Sequence, residues 1–284
     1  MNNQIPNITY QTDTTRNRSH ARALFLTGQT IYTIWQRELI RYWRDKTRII
    51  STLFMPLMFL VIFGAGLSKT LAAGNFGVDF AQFMYPGIIA MSVMSVAFFS
   101  TISTVWDREF GFLKEILVAP VSRVAVAFGK TLGATTIASI QAFILLILAP
   151  FIGVTIHFAI VLPLIIFMLL LAFAISGMGL LISSLMKTTE SFGLVMQVLI
   201  FPLFFVSGAF FPLTAVPSWM RALANVNPLT YGVDAMRQIL LGNQVDPTIL
   251  SNLSLHAISV NALFLLGFSA VMVSAAVVAF NKRA

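Results

Sequence analysis

Long apolar runs recur along this chain at about 49–68, 84–105, 131–152, 159–184, 192–211 and 257–280. As helix, each comes close to the roughly 20 residues that cross a bilayer's hydrocarbon core. None carries an ionisable residue near its centre, where insertion would cost about 2.5–3.5 kcal/mol. The pattern predicts six transmembrane helices. Lys69, Lys130 and Lys187 fall at run edges, from which a long stem can snorkel to water. No apolar core lies close to the N-terminus, so the first run is predicted to be an uncleaved signal anchor.

The stretches between the runs carry patterns of their own. Residues 1–20 are rich in Asn, Gln, Thr and Arg, which predicts a disordered tail. Over 21–47 the chain turns amphipathic. On a helix, Leu24, Ile31, Trp35, Leu39 and Tyr42 share one face, and Arg37, Arg41 and Arg44 share another. Trp35, Arg37, Arg41 and Arg44 suit a helix lying in the headgroup layer. Packing of the same helix on a partner protein would give the same pattern. A six-span domain follows over 48–284.

Between spans 2 and 3, residues 107–119 predict a second, shorter amphipathic helix. Phe110, Phe112, Leu113, Ile116 and Leu117 fall on one arc, Arg108, Lys114 and Glu115 on the opposite one, and Glu109 on the apolar side; Pro120 ends it. A mixed-charge face suits a groove on a soluble partner, and equally a plain solvated surface. Span 5 contains Pro202 and Gly208, which predicts a broken outer half, tolerated only where protein or a water cavity covers the freed backbone. From Pro212 to Leu255 the chain is too polar to span and too apolar to be a free linker. Short helices are predicted at Ser218–Asn225 and Thr230–Leu241, on or in the outer leaflet. The two halves do not match in loop lengths, which weakens an inverted-repeat secondary transporter.

Composition agrees with lipid as the solvent. The 284 residues are 58% hydrophobic and 10% charged, with a mean hydropathy of +0.88; soluble chains average about 25% charged. The net charge of +8 would fit nucleic acid, but it clusters beside the apolar runs. Arg16, Arg18, Arg22, Arg37, Arg41, Arg44, Lys46, Arg48, Arg108, Lys114, Arg123, Lys130, Lys187, Lys282 and Arg283 fall on one side of a six-span topology. Only Lys69, Arg221 and Arg237 fall on the other. Positive charge stays inside, so both termini are predicted to be cytoplasmic. The absence of cysteine excludes disulfides, thiolate metal sites and a Cys nucleophile.

Little in the sequence points to chemistry. Gly129-Lys130-Thr131 ends like a phosphate-binding loop, but the first glycine of that motif would fall at Val124, and the segment opens an apolar span. Gly129 and Gly133 fit close helix packing better. His20, His157 and His256 have no carboxylate at helical spacing, so neither a catalytic set nor a metal site is predicted. Gln141, Gln197 and Asn261 are polar groups within spans, and Phe201 and Phe205 belong to an aromatic cluster at the end of span 5. Such residues line a path or simply join helices and face lipid.

One resemblance extends this reading. The stretch WDREFGFLKEILVAPVSR from Trp106 to Arg123, then FGKTLG over 128–133 and Gln141, resembles the central signature of the type-2 ABC exporter permeases. Downstream, Phe201-Pro202, SGAFFPL over 207–213, Pro217, Trp219, and NPLTY over 227–231 with Asp234 and Arg237 are similar to that family's second half. The flavour is that of daunorubicin-resistance and nodulation lipo-oligosaccharide exporter permeases, over about 30–281. The resemblance implies an all-α integral membrane protein of a bacterial inner membrane that works as a pair. Two copies of a separate ATP-binding cassette subunit would hold the ATP and Mg; this chain would have no cofactor and no nucleotide site. It further implies a connecting helix at about 24–46, a coupling helix at about 107–119 and outer re-entrant helices at about 212–250. Arg108, Glu109, Phe110, Gly111, Phe112, Leu113, Lys114 and Glu115 would then dock on the ATPase. The expected cargo is an amphiphile: a drug, a lipid or a glycolipid. Polysaccharide export, ion-coupled transport and a non-transporting scaffold are the alternatives.

Overall fold

The computed structural model describes residues 12–71, 80–111, 122–152, 156–242 and 245–283, all of them helix or connecting turn. Helix α1 (Thr12–Arg44) starts within the predicted tail, ahead of the expected connecting segment. Residues 12–20, mostly Thr, Asp, Asn, Ser and His with Arg16 and Arg18, are middling helix formers that extend a helix already nucleated downstream. At Asp45 the chain leaves the helix, and the Asp45 carboxylate accepts the Arg48 N–H at 3.0 Å. That cap starts α2 (Lys46–Leu71). There follow α3 (Phe80–Glu109), α4 (Arg123–Leu148), α5 (Phe158–Leu185) and α6 (Thr189–Val206). Three short helices, α7 (Ser218–Ala224), α8 (Pro228–Leu241) and α9 (Pro247–Leu253), precede α10 (Ile258–Arg283).

Among the described residues, five helices are long and apolar enough to cross a membrane: Gln82–Glu109, Arg123–Leu148, Phe158–Leu185, Thr189–Val206 and Ile258–Ala279. They match five of the six predicted spans. Helix α2 covers the remaining one.

The centre of the bundle is α3, α4 and α5, with α1 laid on α4 and α10 on α5. Tyr85, Ile88, Ile89, Met94 and Phe98 of α3 and Leu164, Met168, Leu171 and Ile175 of α5 are shut off from the surface. Lipid tails are as apolar as leucine, so helices associate in a membrane through close packing and hydrogen bonds. Both are present. A Cβ on Gly179 would stand 2.8 Å from Thr101 Oγ1 on α3, and the Tyr85 hydroxyl donates to the Leu145 carbonyl of α4 at 2.6 Å.

Span 5 differs from the expectation. Helix α6 runs unbroken through Pro202 to Val206, because proline removes one donor and a helix among neighbours absorbs that loss. The break comes after it, at Gly208, with φ of 77°. There a side chain would be strained and its Cβ would stand 2.8 Å from Leu213 Cγ. Asn227 serves both neighbours of this turn. Its Oδ1 caps α8 by accepting the Leu229 N–H at 3.0 Å, and its Nδ2 donates to the Leu203 carbonyl of α6 at 2.6 Å. The two predicted short helices are present as α7 and α8. Helix α8 does not lie on a surface: Leu229, Val233, Asp234, Met236, Arg237 and Leu240 are buried, against α3, α5 and α10.

Candidate functional site

The amphipathic face of α1 is spent on the protein's own span. Trp35 Nε1 donates to Thr136 Oγ1 of α4 at 3.0 Å. Gly129 and Gly133 are the reason the helices come so close: a Cβ on Gly129 would meet the Ile34 Cβ at 3.0 Å, and one on Gly133 would meet the Glu38 Cβ at 2.8 Å. The GKTLG stretch is thus a packing groove for α1.

Lys130, between those glycines, does not snorkel. It is 3% exposed, and so is Asp107; Glu38 is 5% exposed. Lys130 Nζ stands 2.6 Å from Asp107 Oδ2 and 3.3 Å from Glu38 Oε1, and it donates to Ser103 Oγ at 3.3 Å. Arg37 Nη2 adds contacts of 2.6 Å to Asp107 and 3.2 Å to Glu38. Arg41 stands 3.8 Å from Asp107, its guanidinium 5.3 Å from the Trp106 ring centroid. Charges taken out of water persist only when paired and hydrogen-bonded, so α1, α3 and α4 are held in one register. Burial alone would push the Glu38 carboxyl up, but the Lys130 ammonium and then the Arg37 guanidinium outweigh it and hold it below the ordinary carboxylate range. Of the predicted interfacial residues, Trp35 and Arg37 therefore face α4 and α3, while Arg44 is exposed. Neither Glu38 nor Asp107 was legible in the sequence as an ion-pair partner. The available signal was Glu38 on the same stripe as Ile34 and Tyr42, one turn to either side: an acid on a buried stripe needs a cation opposite.

The predicted 107–119 helix begins differently from expectation. Asp107, Arg108 and Glu109 are the last turn of α3, because the apolar periodicity of the span runs on past Trp106. Gly111, with φ of 80°, ends it, a conformation that a helix cannot continue. Arg108 Nη1 donates to the Met186 carbonyl at 2.6 Å. Glu109 Oε2 accepts Thr189 Oγ1 at 2.5 Å and the Thr189 N–H at 3.2 Å. Both side chains thus grip the turn between α5 and α6. Phe110 is 80% exposed. Phe112, Leu113, Lys114 and Glu115 lie outside the described residues.

Higher along the bundle, α2 and α6 both lean on α3 and leave a cleft of about 400 Å³. Its walls are Ser51, Thr52, Met55 and Pro56 of α2, Met91, Ser95 and Phe99 of α3, and Gly193, Gln197, Ile200, Phe201 and Phe204 of α6. Gln197 and Phe201 stand in it as two of the candidate path residues. Phe205 stacks on Phe201 with ring centroids 6.4 Å apart. Gln141 and Asn261 do something else. Gln141 Oε1 accepts Tyr42 Oη at 3.1 Å and Thr52 Oγ1 at 3.0 Å, and its Nε2 donates to Ser92 at 3.4 Å. It ties four helices together.

Asn261 Nδ2 donates to Asp234 Oδ2 at 2.8 Å. Asp234 also accepts the backbone N–H groups of Leu255 at 2.9 Å and His256 at 3.1 Å, just ahead of α10. One turn on, Arg237 Nη2 donates to the Gly208 carbonyl at 2.8 Å, and Nη2 and Nε both to the Phe83 carbonyl at 3.4 Å. Its Cζ sits 3.9 Å from the Phe83 ring centroid, a cation–π contact. Helix α8 is thereby bolted to α3, α10 and the turn after α6.

The family model for the ABC-2 type transporter matches residues 29–241. The chain belongs to that family. A putative transport permease ycf38 of Cyanophora paradoxa is 31% identical over 225 residues, 78% of each chain. Nodulation protein J of Rhizobium leguminosarum bv. viciae is 26% identical over 233 residues, covering 81% of this chain and 87% of that one. The inner membrane transport permease YadH of Escherichia coli (strain K12) is 28% identical over 217 residues, 74% and 82% of the two chains. This ABC-2 permease is thus a multi-pass membrane protein and a transport component. The matched region starts within α1 and ends on the last residue of α8, so the ion-paired end, the cleft and the bolted helix all lie inside the ABC-2 domain.

Proposed function

We propose that this ABC-2 permease is the membrane subunit of an ATP-driven exporter, paired with a second copy of itself and driven by two copies of a separate ATP-binding cassette protein. With α2 as the sixth span, both termini face the cytoplasm of a bacterial cell and α8 faces outward. The observation that carries this reading is the buried ion cluster that joins α1, α3 and α4 into one block at the end where a motor would dock. Phe110 is exposed there, and with Phe112, Leu113, Lys114 and Glu115 it forms the contact with the ATPase. Arg108 and Glu109 pass the motion on, since they hold the turn from which α6 starts. Helix α6 is one wall of the cleft, so a push on this turn changes the space available to cargo. The apolar walls with a few hydroxyl and amide groups suit an amphiphile.

An ion-coupled transporter needs an ionisable group on a pathway. Asp107 and Lys130 neutralise each other at helix ends, which favours the ATP-driven reading. Co-purification tests it: the permease should bring down a cassette ATPase in a one-to-one ratio, and recovery of the permease alone under mild detergent would count against it. The chain has no cysteine, so single cysteines at Asn75 and Glu115 test the orientation. They should react with an impermeant thiol reagent from opposite sides of the membrane; labelling from the same side would sink the six-span arrangement.

A further inference from the structure

One turn beyond the α1-facing end of the cleft lies a cation that no described carboxylate pairs with. Arg48 lies one turn before Ser51 and Thr52 of the α2 wall, on the same helix face. Its Nη2 donates to Ser100 Oγ at 3.2 Å, next to Phe99, the last α3 residue in the wall. The Tyr42 ring, 5.9 Å from Arg48 Cζ, and the cap from Asp45 to its backbone hold it there. Among the described residues, Ser100 is the one acceptor for the guanidinium. No carboxylate of a described residue comes within 4.0 Å, in contrast to Arg37 and Lys130 nearby. Asp45 and Glu38 act on Arg48 only from further away. On the α6 wall, Glu190 is one turn beyond Gly193 and points to solvent. A planar fork of donors, fixed in place and mostly unused, fits the oxygens of a phosphate or sulfate.

We infer that the cleft takes an amphiphile with an anionic headgroup, the acyl portion against Met55, Met91, Phe99 and Phe201 and the phosphate or sulfate on Arg48. This rests on the export reading above and narrows its cargo. The occupant is one molecule seated in the cleft, distinct from the lipid around the bundle. On the proposed orientation the headgroup sits at the level of the inner-leaflet headgroups, so such a molecule enters sideways from the leaflet without turning over.

Photolabelling tests the inference on the full chain in phosphatidylcholine nanodiscs. The probe is phosphatidic acid with a diazirine midway along one acyl chain, and labelled residues are read by mass spectrometry. Leu263 and Leu266 of α10, exposed on the bundle surface, report ordinary lipid contact. The expected result is label on Met91, Phe99 or Phe201 that unlabelled phosphatidic acid displaces about tenfold or more better than phosphatidylcholine does, the size of one charge-assisted hydrogen bond. Arg48→Gln should abolish that preference and Arg48→Lys keep part of it, with label at Leu263 and Leu266 unchanged in both. Label in the cleft without a headgroup preference, or with one that survives in Arg48→Gln, overturns the anionic-headgroup inference and leaves the export reading intact. An equal preference at Leu263 and Leu266 reduces it to surrounding lipid, and displacement by inorganic phosphate reduces it to a free-anion site; either result overturns it. Absence of label from the cleft removes the cleft as a cargo site, while co-purification with the ATPase still decides the export reading. Should Arg48→Gln fail to fold, Arg48→Lys takes its place: a reduced preference in the cleft supports the inference, and an unchanged one overturns it.

Discussion

At the α1 end of the bundle, Lys130 and Arg37 meet Asp107 and Glu38 side chain to side chain. At the α8 end, Asp234 and Arg237 are three residues apart on one helix, yet they form no ion pair with each other, and Asp234 takes the Asn261 side-chain amide as well as backbone. The carboxylate takes the amides ahead of α10, and the guanidinium takes the carbonyls at Gly208 and Phe83. The two fastenings differ in what they demand. Ion pairs between side chains depend on charge and tolerate changes in shape, because two cations share two anions. A guanidinium on carbonyls of two different segments depends on shape as well as on charge. The α1 end therefore reads as a joint that fixes helices relative to one another, and the α8 end as one that fixes the path of the chain itself.

Lys130→Met should have the largest effect. Two buried carboxylates would be left with Arg37 and the more distant Arg41, and breaking a buried pair costs about 3–5 kcal/mol. Thermal unfolding in detergent reads this as a large fall in midpoint. Adding Asp107→Asn should recover part of the loss, because removing both partners leaves no orphaned charge. If the double variant is less stable than the single one by the full cost of a second lesion, the pairing account of this end is wrong.

Next comes the shape-dependent end. Arg237→Lys keeps the charge but cannot reach both Gly208 and Phe83, and should cost about 2 kcal/mol. The same exchange at Arg37 should cost under about 1 kcal/mol, since lysine keeps the charge beside Asp107 and Glu38 and Arg37 itself is partly exposed. Equal losses at the two positions would erase the distinction between the ends. Each end also carries a glycine at a close approach. Gly87→Ala puts a Cβ 2.5 Å from the Ala209 Cβ and 2.8 Å from its Cα, and overpacking against backbone should cost about 2 kcal/mol. Gly133→Ala puts a Cβ 2.8 Å from the Glu38 Cβ, which moves only with the α1 backbone, so a loss of about 2 kcal/mol is expected there too.

The smallest effect is with pH. Glu38 is held below the ordinary carboxylate range. Its contribution is therefore complete above the ordinary value and fades as pH falls through the lower, folded one. The protection of α1 amides, corrected for the intrinsic pH dependence of exchange, should be flat from neutral pH down to about 5, then fall below about 4. A fall between about 6 and 7 would point to a different group.

Much of the fold was legible because lipid leaves few choices: an apolar run of the right length is a helix, and five of the predicted spans have a matching helix, although the third starts eight residues before its expected place, at Arg123. The short helices α7 and α8 were legible from the prolines that punctuate this stretch, but the Asn227 cap, which starts α8 two residues before its expected place, was not. What did not read was partnership. Lys130 at the edge of a run looks the same whether it snorkels or is buried, because the acids that bury it lie at positions 38 and 107. Gln141 in a span looks like a path residue or a tie, and only Tyr42, Thr52 and Ser92 decide. Pro202 suggested a break that neighbouring helices make unnecessary. Gly111 was read as part of a helix, since nothing local announces a positive φ there.

The central claim is that α1 and α4 move as one body during transport. Ile34→Cys with Gly129→Cys tests it directly, because a Cβ at 129 lies 3.0 Å from that of residue 34 and a disulfide there would lock the two helices. Transport by the permease reconstituted with its cassette ATPase should be the same whether the pair is oxidised or reduced. Loss of transport on oxidation, restored by reductant, would mean that α1 must leave α4 in the cycle, and the fixed block would be refuted.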